Sequence, residues 1–349
     1  LEDQLLGRVI AREQAALEKL LMQVLADVNA NTKALLDLDA ELLVRLSSNT
    51  GNLLDDESLI DVLANTKAKA AEVKEKLHAA DETRRNINEK REQFRPVATR
   101  GSVLYFSIVD MSQVNVMYQT SLSQFIELFQ KSMEVSEKST LASKRVAFII
   151  DAMTYVVYRY INRGLYERDK LLFLLLVAAK IMSTAGTLDA AEVGVFLRGG
   201  AALDIATVRK KPNWILTEAW LNVIALAQGG VAYYDVLPEA MVRNEGMWRK
   251  WYEDNEPEAQ PIPDYESALR DQKDSGAWKR LLLVRSLRVD RTLLAVRQFI
   301  HGMSALGDRY VEPVTDTIEA IFDESDPATP ITFLLSIGAD PTDALEQLA

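Results

Sequence analysis

The residues best spaced for chemistry stand near the end of the chain, at Ser336-Ile337-Gly338-Ala339-Asp340-Pro341-Thr342. An apolar run of strand type, Pro330 to Ser336, leads into a glycine turn and the opening of a helix. Backbone N–H groups in that geometry can cradle a phosphate. Phosphoryl chemistry also needs the pattern Gly-x-x-x-x-Gly-Lys-Ser/Thr, with the lysine on the phosphates and the hydroxyl on magnesium. The lysine and the second glycine are missing, and Asp340 and Asp343 put negative charge where a phosphate would sit. Ser336, Gly338, Asp340, Pro341 and Thr342 therefore read as the skeleton of a nucleotide loop that binds no cofactor.

Other catalytic patterns give less. Val146-Ala147-Phe148-Ile149-Ile150-Asp151 has the form of an apolar strand ending in a magnesium-binding aspartate, but it lies inside a helical pattern and no second acid follows. The two histidines, His78 and His301, are too far apart in sequence for a His-x-x-His site, which argues against a zinc enzyme. No serine or threonine stands beside a histidine as an activated nucleophile would. Asp55-Asp56 reads first as the acidic opening of a helix.

Composition narrows the classes further. The 349 residues are 48% apolar and 26% charged, enough for one large or two ordinary cores. A net charge of −11, with no basic stretch laced with aromatics, argues against nucleic acid as a partner. Cysteine is absent, which excludes disulfides and thiolate metal sites and suits a reducing compartment. The run Leu171 to Ala179, bracketed by Lys170 and Lys180, is too short to span a bilayer and reads as a core helix, so no membrane is expected. A chain that opens at Leu1 and closes on an unfinished helix after Thr342 reads as a piece of something larger.

The elements are organised around the first ninety-odd residues. Leu17, Leu21, Val24, Val28, Leu35, Leu38 and Leu42 fall at 3-4 spacing, with Asn31 at the missing step. The same spacing picks out Leu59, Leu63, Thr66, Ala70, Val73, Leu77, Ala80, Arg84, Ile87, Arg91 and Phe94. Both are coiled-coil seams. The polar cluster Ser47 to Asn52 ends the first helix, and Asp55-Asp56-Glu57 opens the second. The spacing thus predicts a long antiparallel hairpin over Asp3–Phe94, with arms on the order of 60 Å. At Arg84 and Arg91 the side chains either reach past the seam to water or mark a seam that slides and bends.

Proline and glycine at Arg95-Pro96-Val97-Ala98-Thr99-Arg100-Gly101-Ser102 are expected to end the arm and turn the chain. Helices are predicted at Tyr118–Ser136, Ser139–Asn162, Glu167–Ala185, Ala190–Leu197, Tyr265–Gln272, Trp278–Leu287 and Arg291–Leu306, and Val103–Val109 is favoured as helix. Trp214 enters an amphipathic helix carrying Trp220, Ile224 and Leu226. The acidic, proline-rich stretch from Asp254 to Pro263 is expected to be an exposed, mobile loop.

Several stretches together resemble the heavy chain of dynein, the AAA+ microtubule motor, in its axonemal form. Leu1-Glu2-Asp3-Gln4-Leu5-Leu6 is similar to the end of the large subdomain of the fifth module. Arg95 to Ser102 with Leu104-Tyr105-Phe106, Arg163-Gly164-Leu165-Tyr166-Glu167, and Phe196-Leu197-Arg198-Gly199-Gly200 resemble the family's helical region beyond its hairpin. Arg285-Ser286-Leu287-Arg288-Val289-Asp290-Arg291 and Ser336 to Pro341 resemble motifs leading into the sixth module, although Val289 and Ile337 stand where the family usually has proline.

The resemblance implies a mainly α fold. Residues 1–96 would be a coiled-coil hairpin, the buttress or strut, and 97–200 the helical small subdomain of the fifth module. Residues 201–349 would carry linker helices and the start of the α/β sixth module. It implies that this segment catalyses nothing and passes ring rearrangement to the stalk, with ATP, ADP and magnesium held by other modules. Expected partners are the stalk coiled coil, neighbouring modules, the microtubule through the stalk tip, and intermediate and light chains elsewhere, all in the ciliary or flagellar axoneme. The stalk contact is placed near the hairpin turn, at Leu46, Asn49, Leu53, Leu54 and Leu59. A non-motor coiled-coil scaffold and a free-standing nucleotide-binding domain are the rival readings.

Overall fold

The structure is a computed structural model. It describes the chain except residues 49–56, 205, 207, 209, 230, 232, 313–316, 325–326, 329, 334, 336 and 348–349. The described residues are helices and their connections, with no strand among them. The strand expected over Pro330–Ser336 is therefore corrected: 330–333 and 335 are irregular. A strand exists only in a ladder with a neighbour, and no described residue supplies one. The same finding removes any α/β unit from the described residues.

The hairpin forms, with one correction at its root. Instead of one first helix there are two, α1 (Glu2–Glu13) and α2 (Ala15–Ser48), separated at Gln14 by a backbone kink at φ −141°, ψ 53°. The returning arm is α3 (Glu57–Glu92), and after Gln93-Phe94 the chain continues as α4 (Arg95–Met111). The expected turn at Arg95–Ser102 is therefore helix. Pro96 sits in the first turn, where its missing N–H costs nothing, and Gly101 lies inside α4, where a Cβ would come within 3.0 Å of Leu5 and 2.9 Å of Phe129.

Along α2 and α3 the predicted seams face each other. Leu21, Val24 and Ile87 are buried, with Leu17, Leu25, Val28 and Ala80 packed around them. Farther out, Asn31, Leu35 and Leu38 on one arm, and Thr66, Ala70, Val73 and Leu77 on the other, are half-buried while the positions between are mostly exposed. An arm shielded only by its twin presents this pattern. With 34 and 36 residues, the two helices extend about 51 and 54 Å.

The body follows as α5 (Leu122–Val135), α6 (Ala142–Gly164), α7 (Glu167–Thr184) and α8 (Ala190–Arg198). Next come α9 (Thr217–Gln228), α10 (Leu237–Arg243), α11 (Glu245–Glu253), α12 (Glu266–Arg270) and α13 (Lys273–Leu287). The last described helices are α14 (Thr292–Gly302), α15 (Ile318–Glu324) and α16 (Thr342–Glu346). Ser121 caps α5 by accepting from Gln124 N at 3.2 Å, and Gly186 and Gly199 leave α7 and α8 at positive φ. The apolar run Leu171–Ala179 lies in α7, where Phe173, Leu174, Val177 and Ala178 are buried. No described helix is long and apolar enough to cross a membrane.

One continuous apolar core runs from Leu5 in α1 to Tyr310. The aromatic residues of the body's first half divide by depth: Phe125, Phe129, Phe173 and Tyr158 are buried, while Phe148 and Tyr155 are half-buried. Trp220, Trp248 and Trp278 fill the second half of the body.

Candidate functional site

Three places carry the candidate residues: the root where the arms meet the body, the outer part of the hairpin and the C-terminal loop. The root is built from ion pairs at the ends of α1, α3 and α6. Arg145, at the start of α6, is 2% exposed. Its Nε and Nη2 donate to Glu13 at 2.8 and 2.6 Å, and its remaining N–H groups reach Ser136 Oγ and the carbonyls of Met133, Ser136 and Glu137 at 2.6 to 3.1 Å. A planar fork satisfied on every side is a geometry that arginine alone provides. The hydrogen bonds from Arg145 hold the Glu13 carboxyl below its usual range. Glu13 is the last residue of α1, so this knot fixes the chain to the body one residue before the kink.

One turn past the kink, Arg91 donates to Glu18 at 3.0 Å, their side chains 15% and 20% exposed. Thus Arg91, at a seam position, is paired across the two arms rather than extended to water. Arg84 is exposed and pairs with Asp81 of its own helix at 3.1 Å. Arg95 bridges Glu92 and, at 3.2 Å, Asp3. Phe94 is 3% exposed in the body core, and Leu17 touches both that core and the apolar cluster of the arms.

At the far end of the hairpin, Leu46 lies in α2 and Leu59 in α3, while Asn49, Leu53 and Leu54 fall outside the described residues. The described part of α2 carries a second apolar row beside the seam. Met22, Leu36 and Leu43 recur at seven or fourteen residues, with Val44 next to them, and all are more than half exposed.

In the C-terminal loop, Gly338 turns at φ +90° and Asp340 accepts from Thr342 N at 3.0 Å and from Thr342 Oγ1 at 2.5 Å. These hydrogen bonds from Thr342 lower the Asp340 carboxyl. The amide a phosphate would use is thus taken by the chain's own carboxylate, and α16 is only five residues long. Gly338 and Asp340 are exposed, Pro341 is half-buried, and Ser336 lies outside the described residues. Asp151 sits within α6 and pairs with Arg309 at 3.1 Å, so it is structural. His78 is exposed and His301 pairs with Asp308 at 3.1 Å. No group of three or more potential metal ligands occurs among the described residues.

The stretch Asp254–Pro263 departs from the sequence expectation. Pro257, Glu258, Ile262 and Pro263 are buried. Arg288 donates to the carbonyls of Tyr252 and Asp254 at 2.6 and 2.9 Å, Arg280 to that of Gln260 at 3.0 Å, and Arg291 to Glu258 at 3.0 Å. Three guanidinium groups therefore bind this segment as a strap. Periodicity does not reveal such binding, and the sequence signal for it is the density of arginines from Arg280 to Arg291.

Comparison with known proteins gives a consistent set. A family profile described as "ATP-binding dynein motor region" matches residues 1–73. The chain is 46% identical to the dynein gamma chain of the flagellar outer arm from Chlamydomonas reinhardtii, over all of this chain and 8% of the algal one. It is 46% identical to dynein axonemal heavy chain 5 of Mus musculus, over 99% of this chain and 7% of that protein. For dynein axonemal heavy chain 8 of Homo sapiens the identity is 45%, over 100% and 8%. The chain thus spans less than a tenth of the length of the curated relatives it matches.

Proposed function

From the premise that this chain is part of an axonemal dynein heavy-chain motor region, we propose that α2 and α3 are its buttress. In this reading they are a paired arm that carries rearrangement of the ring to the stalk and so to microtubule affinity. ATP is turned over elsewhere in the heavy chain, and the loop around Gly338 is a remnant. The stalk lies against the outer part of the arm, from the second apolar row toward Leu46, Asn49, Leu53, Leu54 and Leu59. Residues 97–200 form the small subdomain of the fifth module, and the rest leads toward the sixth.

The observation that carries this reading is the row Met22, Leu36, Leu43 and Val44. Exposed apolar side chains at heptad spacing, outside a seam already occupied by the partner arm, suit a second helical surface. The coupling is two-state and mechanical: the arm biases which arrangement the stalk adopts.

The test is made in a complete motor. With Ser47–Asn52 deleted, or with Leu36→Glu and Leu43→Glu together, ATPase turnover is expected to persist while microtubule affinity no longer follows nucleotide state. Affinity that still switches with nucleotide in both variants would refute the assignment.

A further inference from the structure

The two arms break at the same level. The α1–α2 kink at Gln14 and the α3–α4 break at Gln93-Phe94 both lie on the body side of the Glu18–Arg91 bridge, with α1 and α4 sharing the body core below and α2 and α3 sharing their own seam above. The second break has a local cause, since Pro96 in the first turn of α4 has no N–H to continue α3 and its ring would clash with the Glu92 carbonyl. The first does not, since Gln14 is a good helix former. A kink without a local breaker has to be imposed by its surroundings, and the strongest contact beside it is the Arg145 knot on Glu13.

We propose that Gln14 and Gln93-Phe94 together form a hinge across both arms, held at one angle by Arg145 gripping Glu13. The hairpin then swings as one body, since among the described residues its seam runs from Leu21 to Leu38 on α2 and from Ile87 to Thr66 on α3, interrupted at Arg84, and bending is confined to its base. The hinge is a property of the root and is independent of what the arm leans against.

The cysteine-free chain allows direct measurement. Nitroxides at Glu75→Cys on α3 and Glu127→Cys on α5 report arm against body, and a second pair at Lys33→Cys and Lys74→Cys reports arm against arm; all four positions are exposed. Electron–electron double resonance on the native background is expected to give one narrow arm–body distance. With Glu13→Gln that distribution should widen about twofold or shift, with the arm–arm distance unchanged. Arg145→Lys, which keeps the charge and loses the fork, should give a smaller widening and guards against misfolding of the first variant. An arm–body distribution of native width in both variants would overturn the proposal, as would an arm–arm distance that spreads with it.

Discussion

Arg145 and Glu192 are both buried and ionisable, and the fold treats their surroundings in opposite ways. Arg145 has a partner for each face of its guanidinium, so removing it strands the Glu13 carboxylate and several carbonyls together. Arg145→Met should lower unfolding free energy by about 3–5 kcal/mol, measured by urea denaturation. The Glu13 carboxyl, lowered by its hydrogen bonds from Arg145, contributes stability that is present above the ordinary carboxylate range and is lost as pH falls through its depressed folded value. Glu192 is 6% exposed, and one of its oxygens has no hydrogen-bond partner. Burial raises its pKa, against a smaller opposing pull from Lys279. Its charged form is therefore disfavoured by folding, and that cost appears as pH rises above the usual carboxylate value. Glu192→Gln should raise the urea midpoint at pH 7, and the gain should shrink as the solution is acidified below pH ~4.

Among the elements, those written in periodicity were legible. The seam residues from Leu17 to Leu38 and from Thr66 to Phe94 follow the predicted rows, with Arg84 as the exception, and α5 to α8 lie within a few residues of their predicted spans. Three features were not legible, each because it depends on partners remote in sequence. The break at Gln14 is set by packing, Pro96 reads alike as a breaker and as a first-turn residue, and a strand at Pro330 requires a neighbour. The short helices α10, α11 and α15 also went unread, since seven to nine residues hold barely two periods. The approach of α13 to the end of α12 is a local contact that periodicity does not show either. A Cβ on Gly276 would lie 1.8 Å from the carbonyl oxygen of Leu269, which is backbone and cannot swing aside. Gly276→Ala should therefore cost about 1–3 kcal/mol, read as a loss of melting temperature.

At the scale of the whole molecule, the body and the arm differ in what protects their backbones. The body has one core that draws on helices from α1 to α14, whereas the arm beyond Val28 has no fully buried side chain among those described. Amide hydrogen exchange should therefore be slowest in α4, α6, α7 and α13 and faster by orders of magnitude in the outer halves of α2 and α3. Equal protection in arm and body would mean that something else covers the arm. The candidate site follows the same division. The missing lysine and the acidic residues of the C-terminal loop were plain in the sequence, whereas the Arg145 knot, which joins residues 132 positions apart, was not.

The strap at Asp254–Pro263 carries a consequence of its own. Arg280 and Arg288 grip carbonyl oxygens, which every amino acid supplies, whereas Glu258 is held by its carboxylate and Pro257, Ile262 and Pro263 are held by burial. The spelling of its exposed positions is thus free to drift while its length is not. One residue inserted between Asp254 and Gln260 would put the Gln260 oxygen out of step with those of Tyr252 and Asp254, so that Arg280 and Arg288 could not both be satisfied, whereas exchanging Asn255 or Ala259 for another residue would leave all three in place.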